Sequence, residues 1–336
     1  MKNLYCRWGV FVLAISTLGC GGLNLQLRNK SVQKPSNVAL YFSVEDGDGV
    51  PAAGLTAESF KIYEDGQLIS PFESKQTILN PEVAVVHYIL LLLDLSGSIT
   101  ESGSMHSLVS AAAGFAEKVS KGQQIAVYGF DGGAKLIPLT GFTTNAGAVR
   151  SGLARVSTRK SKDPSTNLNG AVVESVKVLG KQLKNAKQPL RFATLVVFTD
   201  GTDRAHRVKT EEMYKALDEA DVNVFAIGLG AEISTEQLSK LGRNGFVQAE
   251  GTTNIGQAFD EVAGRIEAAA RKFYLLSYCS PSRAGKHSLR VEVSFKGDSG
   301  SLSHEFDAKG FRPKCDPKRK PNFSVGRVTL RPVKAR

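Results

Sequence analysis

Histidine and cysteine are scarce, at five and four in 336 residues. Neither stands beside the oxygen-bearing segments described below, which argues against a zinc site. No phosphate-cradling loop occurs, and no nucleophile is accompanied by a base, so hydrolysis and phosphoryl transfer lack their usual residues. His87 precedes the apolar end of a strand and His106 starts a helix, and both read as structural or surface residues. Acids are nearly missing from the C-terminus: residues 309–336 hold ten Lys/Arg against Asp316 alone. That tail, with Lys2 and Arg7, accounts for the whole net charge of +11 and leaves residues 8–308 neutral. No recognisable nucleic-acid-binding fold accompanies the charge, so a nucleic-acid partner is not expected. The uncharged stretch at residues 8–19 is too short to span a bilayer as a mature helix.

What is present at the N-terminus is a targeting segment. A positive start, a short apolar run and the ending "STLGC" have the lengths of a bacterial export signal. The ending resembles the lipobox of bacterial lipoproteins, with Thr17 where leucine is most frequent. Residues 1–20 are therefore expected to be a lipoprotein signal peptide and Cys20 the acylated residue, for example by palmitate. A cleaved signal with an incidental cysteine is the plainer alternative. The expected address is the bacterial cell envelope, on the outer membrane or a periplasm-facing surface. Cys6 leaves with the signal. Cys279 and Cys315 remain, an even pair in an oxidising compartment, so either they form a disulfide or both are unpaired buried thiols.

Residues 21–36 read as a polar tether. Val38, Leu40, Phe42 and Val44 alternate with other residues as a half-buried strand, and "EDGQ" is a hairpin signal, so 37–82 is an N-terminal β segment. From residue 83 the pattern changes. "VAVVHYILLLLD" and "FATLVVFTD" are continuous apolar runs, typical of strands buried on both faces. Between and after them come helical periods, such as Leu108, Val109, Ala112, Phe115, Ala116 and Val119. Alternating strands and helices of this length predict a doubly wound, mainly parallel, Rossmann-like α/β domain over 83–272. Two-residue alternation returns in a C-terminal β segment at 273–311. The two β segments either pair into one small β-sandwich or form independent extensions. Residues 312–336, with Pro313, Pro317, Pro321 and Pro332, are a basic tail expected to be extended and mobile. It is either a solubilising end or a contact to an anionic envelope surface.

In doubly wound sheets, ligands bind outside the carboxyl ends of the strands. Asp94, Ser96 and Ser98 follow the first apolar strand, Asp200 follows "LVVFT", and Thr166 lies just before a helix. Singly, each reads as a helix cap or a turn. Together they are five oxygen donors on one sheet edge, the ligand type of a hard divalent cation. The set resembles the metal-ion-dependent adhesion site of the von Willebrand factor A domain: the DxSxS motif at Asp94-Leu95-Ser96-Gly97-Ser98, the separate Thr166 and the separate Asp200. The flanks "VEDGDGVPAAGLTAESFKIYEDGQ" and "FYLLSYCSPSRAGKHSLRVEV" look like the β segments around this domain in bacterial secreted and lipoprotein members.

The resemblance implies that Ser96, Ser98 and Thr166 contact the metal directly, with Asp94 and Asp200 acting through water or from behind. Mostly neutral ligands leave the cation's charge under-compensated, so it attracts an Asp or Glu carboxylate from a protein partner. Mg2+ fits such a small, water-retaining site, and Mn2+ is a near substitute. The leading expectation is a non-enzymatic, lipid-anchored adhesion protein. An envelope assembly scaffold with a structural metal is the alternative, and a metal-assisted hydrolase a more distant one.

Overall fold

The computed structural model describes residues 22–79, 84–101, 103–120, 122–156, 161–323 and 326–327. The leader with Cys20, and residues 328–336 of the basic tail, lie outside the described residues. The chain opens with β1 (Asn24–Gln33), β2 (Asn37–Glu45), β3 (Phe60–Glu64), β4 (Gln67–Leu68) and β5 (Thr77–Leu79). It continues with β6 (Val85–Asp94), α1 (Gly97–Glu101), α2 (Met105–Val119), β7 (Gln124–Phe130), β8 (Ile137–Thr143), α3 (Ala146–Ala154) and α4 (Leu168–Asn185). Then come β9 (Leu190–Thr199), α5 (Thr210–Glu219), β10 (Asn223–Leu229), α6 (Thr235–Leu241), β11 (Gly245–Ala249) and α7 (Ile255–Arg271). It closes with β12 (Phe273–Cys279), β13 (Lys286–Phe295), β14 (Asp298–Asp307) and β15 (Gly326–Arg327).

The central sheet has the order β11-β10-β9-β6-β7-β8, parallel except for the antiparallel edge strand β8. Its middle strands are buried on both faces because successive side chains point to opposite sides. Ile89, Leu91 and Leu93 of β6 join the core under α2, α3 and α7. Leu90 and Leu92 join the core under α4, α5 and α6. Helix α6 starts at Ser234, whose hydroxyl accepts from Gln237 N while the Gln237 side chain accepts from Ser234 N, a reciprocal cap.

Strands from the two ends of the chain form two further sheets, β1-β2-β12-β5 and β14-β13-β3-β4. Pairing of β2 with β12 sets Phe42 opposite Tyr274, and β3 pairs with β13. The facing sheets share one core, in which the Phe42, Phe60 and Tyr274 rings lie 5.5–6.3 Å apart. The flanking segments are therefore one sandwich, not two independent extensions. The hairpin between β3 and β4 turns through Asp65 and Gly66, both at positive φ, as the "DG" pair requires.

Two expectations are corrected. Residues 21–36 are not a tether: β1 occupies most of them and pairs antiparallel with β2 along its whole length. Leu23 is buried, and Leu25 and Leu27 pack on the sandwich core at a spacing of two, which the intervening Asn24, Gln26 and Arg28 conceal in the sequence. Nor is the tail extended and mobile over 312–323. Its basic residues are interleaved with Pro317, Pro321 and Phe323, all buried. Asn322 N donates to Ser31 Oγ at 2.9 Å, and Phe323 lies 6.5 Å from Tyr41, ring to ring. Cys315 is bonded to Cys279, with Cα atoms 5.7 Å apart and a sequence separation of 36. Closing a loop of that length stabilises by about 4 kcal/mol in the chain-entropy account. Beyond it, β15 adds to the start of β9 beside Leu190 and Arg191.

The sandwich meets the amino-terminal edge of the central sheet. Tyr41, Phe273 and Leu275 from the sandwich pack there with Ala84, Leu190 and Phe192. Beside this core, Lys272 at the end of α7 reaches Glu45 at the end of β2, 2.6 Å away, with 1% and 10% of the side chains exposed. The carboxyl ends of the strands, where Asp94 and Asp200 stand, are one strand length away from the sandwich, about 30 Å.

Candidate metal centre

Strand β6 delivers Asp94 to the sheet edge fully buried. Its carboxylate is held from two sides: Oδ1 accepts from Ser96 N at 2.9 Å, and Oδ2 accepts from Thr199 Oγ1 at 2.7 Å. Burial, with the Asp200 charge nearby, pushes Asp94 up to about 6, against the opposing hydrogen bonds from Ser96 and Thr199. Ser96 is buried and Ser98 exposed, and their hydroxyls lie 3.2 Å apart. The turn then enters α1, so Ser96 O accepts from Thr100 N.

Thr166 is buried on the loop that precedes α4. It is not the helix cap: Asn167 fills that role, its side chain accepting from Gly170 N at 3.2 Å. Two backbone links tie this loop to the other segments. Gly97 N donates to Pro164 O at 2.9 Å, and Arg204 N and Ala205 N both donate to Thr166 O, at 2.9 and 3.0 Å. A Cβ at Gly97 would stand 3.0 Å from Pro164 Cβ, so glycine at this position of the DxSxS turn lets the two loops approach closely, and a side chain there would press on Pro164.

Asp200, just past β9, is raised by burial and lowered by the Ser98 hydroxyl bonded to it. Its Oδ1 is buried with no hydrogen-bond partner. Among the described residues it is the only carboxylate oxygen in that condition. A buried, unsatisfied anionic oxygen is costly unless something positive meets it. The described residues hold no cluster of three or more His, Cys, Asp or Glu fit for a metal. Any cation here must use hydroxyls, and the donor set of two carboxylates and three hydroxyls suits a hard ion. Asp94, Ser96, Ser98 and Asp200 are joined by direct contacts, and Thr166 is bound to them through the backbone of its loop.

Several supporting residues were not legible. Thr199 holds Asp94 from the end of a strand that otherwise reads as pure core. Asp131 is buried after β7. Its backbone carbonyl accepts from Asn167 N at 3.1 Å and its side chain from Gly133 N, Ser161 Oγ and Lys162 N, so it shapes the Thr166 loop. Arg207 donates to Gly132 O and Asp163 Oδ2, joining three loops. Only "FDGG" hints at any of them, and it reads as an ordinary turn. His87 is internal, its Nε2 2.7 Å from Thr194 Oγ1, and burial pushes it down to about 4. His106 is exposed on α2.

Sheet, helices and edge residues together define a doubly wound α/β domain with a candidate oxygen-donor cation site. Residues 89–249 match the model of the von Willebrand factor type A domain, and this stretch of the chain is a domain of that type. No curated protein matches the chain. Among solved structures it is similar to a von Willebrand factor type A protein from Catenulispora acidiphila, at 9% identity, over 85% of this chain and 73% of that one, TM-score 0.46. It is also similar to the manganese-loaded TRAP protein of Plasmodium vivax, at 12% identity, over 75% and 99%, TM-score 0.45. A third is the vWF domain of the type V pili tip protein Mfa5 of Porphyromonas gingivalis, at 11% identity, over 55% and 96%, TM-score 0.43.

Proposed function

We propose that the protein is a lipid-anchored adhesion module of the bacterial cell envelope that binds a protein partner through Mg2+. Asp94, Ser96, Ser98, Thr166 and Asp200 would hold the ion. The orphaned Oδ1 of Asp200 carries the reading, because it is a buried anionic oxygen that only a cation or a donor from outside can satisfy. A bound divalent ion supplies positive charge that three neutral hydroxyls do not cancel, and an Asp or Glu side chain of the partner is the natural counter-charge.

The chain's own residues do the positioning. Asp94 fixes the turn through Ser96 N and orients Thr199, while Ser96 and Ser98 present two hydroxyls side by side. Ser98 is the exposed member and Ser96 the buried one, so the site opens on the Ser98 side. The sandwich lies at the other end of the central sheet, which leaves the site facing away from it. An acyl chain on Cys20 would tether the body from the sandwich side, since the described chain begins beside Ser299, where Leu23 N donates to Ser299 O at 3.0 Å. The site would then point away from the membrane toward a partner.

Calorimetric Mg2+ titration tests the ligand set. The double change Ser96→Ala with Ser98→Ala is expected to remove detectable binding. Thr166→Ala takes away one neutral ligand of about six and is expected to weaken binding by about tenfold, the low end for changes around a metal. Circular dichroism should show both proteins folded, because Ser96 and Thr166, though buried, belong to none of the apolar core clusters. Capture of an envelope partner should be lost with chelator and restored by Mg2+. Undiminished Mg2+ affinity in the double serine variant would sink the assignment.

A further inference from the structure

Among the described residues, the exposed large apolar side chains are concentrated at one place. Among the described residues only three large hydrophobic side chains are exposed: Val32 at 37%, Leu68 at 56% and Phe72 at 92%. All three sit at the end of the sandwich that holds the disulfide. Val32 pairs with Val38, one rung from the rung that sets Gln33 against Asn37 and Asn37 against Cys279. Leu68 ends β4, and the loop after it carries Phe72 and returns to Cys279, whose N–H donates to Ser74 O at 2.8 Å.

Phe72 is displayed by a built loop. Ser74 Oγ donates to Ser70 O at 2.8 Å, Gln76 N donates to Pro71 O at 3.0 Å, and Gln76 Nε2 donates to Phe60 O at 2.9 Å. The backbone on both sides is fixed while the ring stands in solvent. A lone exposed phenylalanine needs no explanation, but three apolar side chains gathered on one end do.

The same end is cationic. A cavity of about 390 Å3 opens between the Phe72 loop and the disulfide. Lys75, Arg283 and Lys314 line it, with the hydroxyls of Ser36, Ser70 and Ser280 and one acid, Glu73. The packed part of the tail adds Lys318 and Arg319, and Arg319 Nη1 donates to Lys34 O at 2.6 Å. Asp316, whose backbone carbonyl accepts from Asn37 Nδ2, is the acid among them. Among the described residues none of Lys34, Lys75, Lys314 or Lys318 is in an ion pair. Their charge is available to something outside.

We infer that this end of the sandwich is a docking surface for an anionic lipid bilayer, with Phe72 and Leu68 entering the interface and the cationic cavity taking a lipid phosphate. An exposed aromatic ring on the same end of the sandwich as unpaired lysines matches what a bilayer surface offers, an apolar layer under a sheet of negative headgroups. A purely acidic protein surface would satisfy the lysines and leave Phe72, Leu68 and Val32 in water. The surface is formed by the packed residues 312–323 together with the Phe72 loop, and neither the metal site nor acylation of Cys20 enters the inference.

The test uses the chain from residue 21 onward, which keeps every described strand and helix and contains no acylated cysteine. The only tryptophan of the sequence is Trp8, so this chain has none. Phe72→Trp then gives a single indole reporter. Its emission is expected to shift to the blue on adding vesicles of equal parts phosphatidylglycerol and phosphatidylcholine, and to be quenched by brominated acyl chains. Co-sedimentation with those vesicles is expected to be strong for the unmodified chain, weak on pure phosphatidylcholine, and lowered by salt. Lys75→Glu, Lys314→Glu and Lys318→Glu together should lower it by about 100-fold, with an unchanged circular dichroism spectrum. Inorganic phosphate should not compete. Absent vesicle binding, full binding by the triple variant, or an unshifted Phe72→Trp emission would each overturn the inference. So would capture of polyglutamate in place of vesicles, which would make the surface a site for an acidic protein.

Discussion

Asp94→Asn is expected to do two opposite things: to lower Mg2+ affinity by about 100-fold, and to stabilise the metal-free protein at neutral pH. The second effect follows from where the carboxylate sits. Asp94 is buried beside Asp200, and burial holds it at about 6, above its ordinary 3.8. Between those two values the folded state carries the proton more often than the unfolded chain does. Stability is therefore lost as pH rises from about 3.8 to 6, and the loss persists at pH 7. A pKa raised by about two costs the folded state about 3 kcal/mol. The amide of Asn carries no charge to desolvate and keeps an acceptor for Ser96 N. His87 gives the opposite slope. Burial holds it at about 4 against an ordinary 6.5, so the unfolded chain binds the extra proton and stability rises with pH across that window. In the wild type without metal the two slopes offset between about pH 4 and 6. In Asp94→Asn the histidine slope is no longer offset by Asp94. Urea titrations at several pH values, with chelator and with Mg2+, read this directly. The wild type should gain stability from Mg2+ and the variant should not. A variant less stable than wild type in chelator would mean that Asp94 is a structural acceptor first and a metal-site residue second.

How much of the molecule could be read from the sequence follows from what kind of signal each part leaves. The central domain was legible because a strand buried on both faces must be apolar throughout, and Leu90 to Leu93 cannot be mistaken for an amphipathic surface. The site was legible because Asp94, Ser96 and Ser98 interrupt that apolar logic at the one place where the strand ends. The sandwich was half legible. Val38 to Val44 and Leu289 to Phe295 show the period of two, yet β1 carries its period on Leu23, Leu25 and Leu27 amid polar neighbours. Tail packing was hidden for a similar reason, since two prolines and one phenylalanine do its burying among lysines. Thr199 and Arg207 left no local signal, and Asp131 left only that of an ordinary turn. Their work is to hold loops that are distant in sequence, and only the assembled sheet edge brings those loops together. Lys272 was hidden most completely, because a lysine after a helix is the commonest of surface patterns, and here it is 1% exposed.

That lysine sets the second large effect. Lys272→Met is expected to cost about 3–5 kcal/mol, the usual result of removing one partner of a buried ion pair. Glu45 would remain 10% exposed with its counter-charge gone, 2.6 Å from where the ammonium had been. The position matters because Lys272 joins α7 to β12 and its carbonyl accepts from Val44 N at 2.8 Å, so the pair closes the seam between the central domain and the sandwich. The double change Lys272→Met with Glu45→Leu removes both charges and leaves apolar side chains of similar size. It should recover most of the loss, and could exceed the wild type, because two desolvated ions are replaced by packing. Urea denaturation of the four proteins closes the cycle. The lysine change alone should also split the transition in two, as the seam opens before either body unfolds. Mg2+ affinity is the internal control. The site lies a strand length away, so the loss of stability should leave the titration of the folded protein unchanged. A cost under about 1 kcal/mol for Lys272→Met, the range of exposed pairs, would mean that water reaches the pair and that the seam is held by Tyr41, Phe192 and Phe273 alone.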